Sequence, residues 1–74
     1  NAFAARAEIF LENKETEKAI DFFGEALKHN PKNGKAKIGL SQAFLAKGDK
    51  LYEASDKQNA VSAYAEAVKS DASN

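Results

Sequence analysis

The sequence lacks cysteine, methionine and tryptophan, and its 74 residues include one proline and one histidine. Without cysteine there is no disulfide, no thiolate nucleophile and no Cys-ligated metal site. No apolar run approaches the roughly 20 residues that span a bilayer, so we expect no membrane insertion of this segment. A chain that begins with Asn1 and has no methionine is expected to be a piece of a longer or processed protein, which leaves its compartment open.

The charge balance argues against nucleic acid as a partner. Eleven basic and eleven acidic residues give a formal net charge of zero, so no overall field favours a polyanion. The basic residues concentrate in the middle of the chain, where a patch contains Lys28, Lys32, Lys35 and Lys37. Nucleic-acid sites usually carry more charge, or aromatic residues in the same patch. We therefore interpret the patch as a solvated face, with an acidic segment of a partner protein as the alternative.

Apolar residues recur at helical spacing in four segments and indicate four helices. The predicted helices cover about residues 2–13, 17–29, 35–54 and 57–70. Thr16 is the predicted N-cap of the second helix, and Pro31 should stop that helix near residue 30. Asn33 and Gly34 form a turn signal before the third helix. Ser55 or Asp56 is expected to cap the fourth, and the short connections indicate antiparallel neighbours.

The chain contains an internal repeat. The segment EKAIDFFGEALKHNPKN, at 17–33, aligns without a gap with QNAVSAYAEAVKSDASN, at 58–74, at an offset of 41 residues. The matched pairs are Ala19 with Ala60, Ile20 with Val61, Phe23 with Tyr64, Ala26 with Ala67 and Leu27 with Val68. A small–aromatic–small triplet at spacings of four and three lies on one helix face, where the alanines allow close approach of a neighbouring helix.

This triplet, followed by Pro31 in the first copy, resembles the tetratricopeptide repeat family, whose helix–turn–helix unit has about 34 residues. On that resemblance, unit one is residues 1–33 and unit two is residues 41–74, within a single domain 1–74. Arg6 departs from the family pattern, because it stands where the family has leucine. The predicted repeat-motif core is Phe3, Ala7, Phe10, Ala19, Phe23, Ala26, Pro31, Phe44, Gly48, Leu51, Ala60, Tyr64 and Ala67.

The resemblance implies an all-α fold, in which two antiparallel helix–turn–helix repeats stack as a short α-solenoid. Residues 34–40 lie between the units and amount to about two helical turns. Added at the start of a helix, they should lengthen the third helix by about two turns and roughly preserve its face. Gly24 and Gly48 are interpreted as close-packing sites, whereas Gly39 has no evident role. We expect Ile38 and Gly39 to contact the end of the second helix or another chain.

Nothing in the sequence indicates catalysis, a cofactor or a metal. His29 has no second histidine and no carboxylates at ligand-like spacing, so its place near a helix C-terminus is the better interpretation. The four glycines form no phosphate-binding motif. The acidic cluster Glu12, Glu15, Glu17 and Asp21 is interleaved with lysines and is interpreted as a solvated surface. We therefore predict that the chain is not an enzyme.

The resemblance implies protein–protein interaction, with the first helices of successive units lining a concave groove that binds a peptide or protein. The family positions of that groove correspond here to Ala4, Glu8, Leu11, Gln42, Leu45, Asp49 and Tyr52. They give an apolar surface with an acidic bias and lack the Lys and Asn residues with which some members hold an acidic peptide terminus. The alternative is self-association, because two units leave a helix face uncovered.

Overall fold

The chain forms four helices in a computed structural model, which describes residues 2–72 and the side chains of residues 2–70. The helices are α1 (Ala2–Glu12), α2 (Thr16–His29), α3 (Gly34–Glu53) and α4 (Lys57–Ala72). No strand occurs within residues 2–72. The predicted all-α repeat fold is confirmed. So is the long third helix, which has 20 residues against 11 in α1 and 14 in α2.

Local chemistry sets where the middle helices end and begin. Helix α2 ends at His29, and Asn30 turns to extended geometry with φ −145° and ψ 90°, as expected for the residue before Pro31. Helix α3 then begins directly at Gly34. The Asn33 side chain accepts a hydrogen bond from the Ala36 N–H at 3.2 Å, so Asn33 is the N-cap of α3. Its own backbone N–H donates to the Asn30 carbonyl at 3.0 Å and closes the turn before the helix.

The predicted N-cap at Thr16 is wrong. Thr16 is already the first residue of α2 and is only 4% exposed. Glu15 takes the N-cap position, and its side chain makes no capping hydrogen bond. The physical reason is the turn before it, where Lys14 has φ 65° and the Glu15 N–H donates to the Phe10 carbonyl at 2.8 Å. The turn therefore ends at Glu15, one residue earlier than the predicted N-cap, and α2 begins at Thr16.

The α3–α4 turn repeats the α1–α2 turn at the same 41-residue offset that relates the aligned segments. Ser55 has φ 67°, and the Asp56 N–H donates to the Leu51 carbonyl at 2.8 Å. Of the two candidate caps for α4, Asp56 makes the contact: its Oδ1 accepts the Asn59 N–H at 3.4 Å, and its Oδ2 accepts from the Asn59 amide at 2.8 Å. The two hairpins thus share one turn geometry, with left-handed backbone at a non-glycine residue in each.

Alanine dominates the buried core. The buried apolar residues are Ala4, Ala7, Ala19, Phe23, Ala26, Ala36, Ala43, Ala60, Ala63 and Ala67. Phe23, at 1% exposure, is the one large side chain among them. Small residues let helices approach closely, and larger side chains such as Phe3, Phe10 and Leu40 pack half-buried around them. Pro31 does not belong to the core, because it is exposed.

Glycine gives α3 its closest approach to the neighbouring helices. A Cβ atom on Gly39 would collide with the ring of Phe23, and one on Gly48 would lie 2.6 Å from Cε1 of Tyr64. The interpretation of Gly48 as a close-packing site is therefore confirmed, and Gly39 acquires the same role. Gly24 was misinterpreted, since nothing lies within 4 Å of a Cβ built there.

The two-turn start of α3 is buried on one side, at Ala36 and Gly39, whereas Ile38 is 47% exposed. Gly39 contacts Phe23 in the middle of α2, whereas we expected a contact with the end of α2 or with another chain. The Ser41 hydroxyl donates to the Ala67 carbonyl on α4 at 3.0 Å. Further along, Lys47 on α3 forms an ion pair of 3.3 Å with Glu17 on α2. Helix α3 thus contacts each of the other three helices, whereas within residues 2–72 α4 contacts α3 alone.

Candidate functional site

The described part of the chain holds no constellation suited to metal binding. No group of three or more His, Cys, Asp or Glu side chains lies close enough to hold an ion within these residues. His29 instead stacks on Phe3, with ring centroids 5.2 Å apart and an interplanar angle of 5°. None of the four described helices combines the length and apolar character needed to cross a membrane.

A groove lies between α1 and α3, and we call it the α1–α3 groove. Its volume is about 290 Å³, and the residues around it are Glu8, Leu11, Glu12, Phe23, Lys35, Ile38, Gly39 and Gln42. The bare backbone of Gly39 brings α3 close to the ring of Phe23, so both lie at this groove. Ile38 is 47% exposed, and Leu11 is half-buried opposite it. The groove therefore offers apolar surface with charged side chains beside it.

A second depression continues along α3 from Leu11. It is lined by Leu11, Lys14, Thr16, Ala46, Asp49, Lys50 and Glu53. Two interactions order its polar side chains. The Tyr64 hydroxyl donates to Asp49 Oδ1 at 2.5 Å, and the Lys50 ammonium donates to the Lys14 carbonyl at 3.0 Å. The first of these bonds is the main reason why the pKa of Tyr64 lies above its ordinary value of 10.0.

The structure brings together some of the residues that the family pattern assigned to a groove. Glu8, Leu11 and Gln42 line the α1–α3 groove together, and Asp49 lines the depression that shares Leu11. Ala4 is only 5% exposed and lies in the core cluster, so it offers no side chain to a partner.

Two further residues from that prediction are exposed on α3. Leu45 is 44% exposed and Tyr52 is 57% exposed. Tyr52 already has a cationic neighbour, since the Lys57 ammonium lies 5.9 Å from its ring centroid. An aromatic face at this distance from a cation is within the range of a favourable cation–π contact.

The groove prediction missed five of the residues that line the α1–α3 groove: Glu12, Phe23, Lys35, Ile38 and Gly39. Helical spacing offered a signal for two of them, because Lys35, Ile38 and Gln42 are separated by three and four positions and so share one face of α3. Residues 34–40 had been set aside as an insertion, and this hid their continuity with Gln42. Glu12 lies one turn after Glu8 and was assigned to the solvated cluster instead.

The outer face of α4 is apolar and uncovered. Val61 is 66% exposed and Val68 is 68% exposed. Ile20 and Leu27, the residues 41 positions earlier, are instead half-buried against the core cluster that includes residues of α3. Within the described residues α4 contacts only α3, on its opposite side, so the stripe that is packed on α2 is open on α4.

Comparison with known proteins agrees with this architecture. The model of the tetratricopeptide repeat family matches residues 10–50, more than half of the chain. Neither the curated proteins nor the solved structures include a significant match. Repeats of this family generally mediate protein–protein interaction and are typically non-enzymatic scaffolds. The chain also has two helical hairpins with a shared turn geometry and an aligned sequence repeat. We conclude from these features and from the match that the chain belongs to the tetratricopeptide repeat family.

Proposed function

We propose that the chain is a non-enzymatic protein-binding module and that a segment of a partner protein lies along α1 and α3. The observation that carries this proposal is the α1–α3 groove, where apolar Leu11 and Ile38 are accessible between charged side chains. Leu45 extends the apolar surface along α3. Apolar surface with a polar rim, held on rigid helices, is the usual composition of a protein-binding site.

Peptides selected from a random library against the whole chain provide the test. Addition of a selected peptide should shift backbone amide resonances of α1 and α3 in NMR spectra. Ile38→Asp should weaken binding by about tenfold or more, because it places a charge where an apolar side chain would be buried. Val61→Asp is the matched control, since it adds the same charge to an exposed apolar position of α4. Shifts confined to α2 and α4 would contradict the proposal.

Self-association is the second candidate function, and the outer face of α4 favours it. Val61 and Val68 are open there. Residues 34–40, at first a candidate surface for a second chain, pack against α2 on one side, through Gly39 and Phe23. A second copy that covers the two valines would bury apolar surface that is otherwise hydrated. Sedimentation equilibrium should then show concentration-dependent dimers, and Val61→Glu with Val68→Glu should restore the monomer. A parent chain that stays monomeric at high concentration would rule this out.

A further inference from the structure

The volume of the α1–α3 groove limits the size of the group that can bind in it. Small-molecule sites typically enclose about 300–1,000 Å³, and the α1–α3 groove, at about 290 Å³, is slightly smaller than that. Its accessible apolar surface comes from Leu11 and Ile38, since the neighbouring Phe23 is only 1% exposed. This combination suits a large apolar side chain of a peptide better than a cofactor.

The electrostatics of the groove add a second requirement. Glu8 and Glu12 are exposed on α1 four residues apart, a spacing at which like charges destabilise a helix slightly. Glu12 is also the last residue of α1, whose final turn has no basic residue. Carboxylates at that end face the negative pole of the helix dipole. Neither glutamate has an ion-pair partner within the side chains described for residues 2–70.

The acidic bias is confined to the groove itself. The adjoining depression is lined by two acidic residues, Asp49 and Glu53, and by two basic ones, Lys14 and Lys50, so its formal charge is balanced. The one basic residue that lines the groove itself is Lys35, in the first turn of α3 and therefore across the groove from the glutamates. A bound segment consequently meets negative charge on the α1 side and positive charge at the start of α3.

We propose that the α1–α3 groove binds a protein segment that carries one large apolar side chain next to lysine or arginine residues. The apolar side chain fills the space between Leu11 and Ile38, and the cations lie against Glu8 and Glu12. This inference rests on the proposed function and adds the chemistry of the partner to it. Attraction between a cation and these two carboxylates would relieve their mutual repulsion, and it weakens with added salt because all the groups are exposed.

The test uses the whole chain and three short peptides with blocked ends. The first carries a central leucine followed by lysines, the second has glutamates in place of the lysines, and the third has serines there. NMR titration of the lysine peptide should shift amides of Glu8, Leu11, Ile38 and Gln42. We expect its Kd to be about tenfold lower than that of the serine peptide at low salt. The glutamate peptide should be the weakest of the three.

Charge-neutral variants identify the carboxylates involved. Glu8→Gln with Glu12→Gln should raise the Kd of the lysine peptide by about tenfold and remove most of its salt dependence. Asp21→Asn with Glu66→Gln is the control, because it removes the same charge from exposed positions of α2 and α4. If both double variants lost the same affinity for the lysine peptide, only the net charge of the chain would matter, and the inference would be overturned.

The outcomes separate this inference from the proposed function. If the serine and lysine peptides bind the groove equally well, the groove assignment stands and the cation requirement is wrong. If the lysine peptide shifts only amides of α2 and α4, the groove assignment fails as well. Absence of any binding by the lysine peptide would overturn the inference directly.

Discussion

Deletion of residues 34–40 should leave the chain largely unfolded at 25 °C. These seven residues supply Ala36 and Gly39, both buried, and bring α3 onto the ring of Phe23. If the α3–α4 hairpin kept its own contacts, the shortened α3 would no longer reach this part of α2. Phe23 would then be exposed, and exposure of a large aromatic side chain costs about 1.5–3 kcal/mol. A domain of this size has only a few kcal/mol to lose.

The alternative packing is no better. If the shortened helix slid along α2 by two turns, its face would be roughly preserved, and Ala46 would take the place of Gly39 against Phe23. Lys47 would take the place of Leu40, next to the core cluster. Burial of an unpaired lysine and collision of a methyl group with the Phe23 ring would both oppose folding.

Circular dichroism and thermal unfolding measure the effect of the deletion. The deleted chain should lose most of its helical signal and its cooperative transition. Lys35→Ala is the control, because it changes an exposed residue of the same segment and should alter the free energy of unfolding by about 0.5 kcal/mol or less. A deleted chain that still melts cooperatively near the parent Tm would show that the segment is dispensable.

Gly39→Ala should destabilise the fold, whereas Gly24→Ala should stabilise it. Both glycines lie inside helices, so both substitutions gain about 1 kcal/mol of helix propensity. At Gly24 the new methyl group meets open space, but at Gly39 it collides with the buried Phe23 ring. Overpacking of a core usually costs about 1–3 kcal/mol. The difference between the two variants therefore isolates the cost of that collision.

Urea unfolding of the two variants and of a double variant completes the test. Phe23→Leu alone should destabilise the chain, since it shrinks the largest fully buried side chain. In the Gly39→Ala background, the smaller leucine at position 23 makes room for the new methyl group. The destabilisation caused by Phe23→Leu should therefore be smaller there by about 0.5–3 kcal/mol. Additive effects, or equal stability of Gly39→Ala and Gly24→Ala, would contradict the contact.

The helices and their approximate ends followed from the sequence because they depend on local patterns. Apolar spacing located all four helices, and Pro31 stopped α2 through its effect on the preceding residue. The close-packing role of Gly48 also followed, although its partner Tyr64 was not predicted. These features need only periodicity, proline chemistry and the comparison of one half of the chain with the other.

Other features depend on contacts between helices, which local sequence patterns do not predict. The role of Gly39 became visible only when α3 lay on Phe23, and Gly24 proved to face open space. Val61 aligns with Ile20, which is half-buried, but an apolar side chain is buried only if another helix covers it. The groove shows the same limit, since Ala4 matches a family position and yet lies in the core.

Helix α3 belongs to both hairpins at once, because it pairs with α4 and also lies against α1 and α2. The two repeats are therefore not independent blocks joined by a linker. When one hairpin folds, it fixes the position of α3, which the other hairpin also contacts. The conformational entropy cost of ordering α3 is therefore paid once for both hairpins. A partner that binds α3 would by the same connection restrict the motion of both hairpins. Binding at one face should therefore stabilise all four helices.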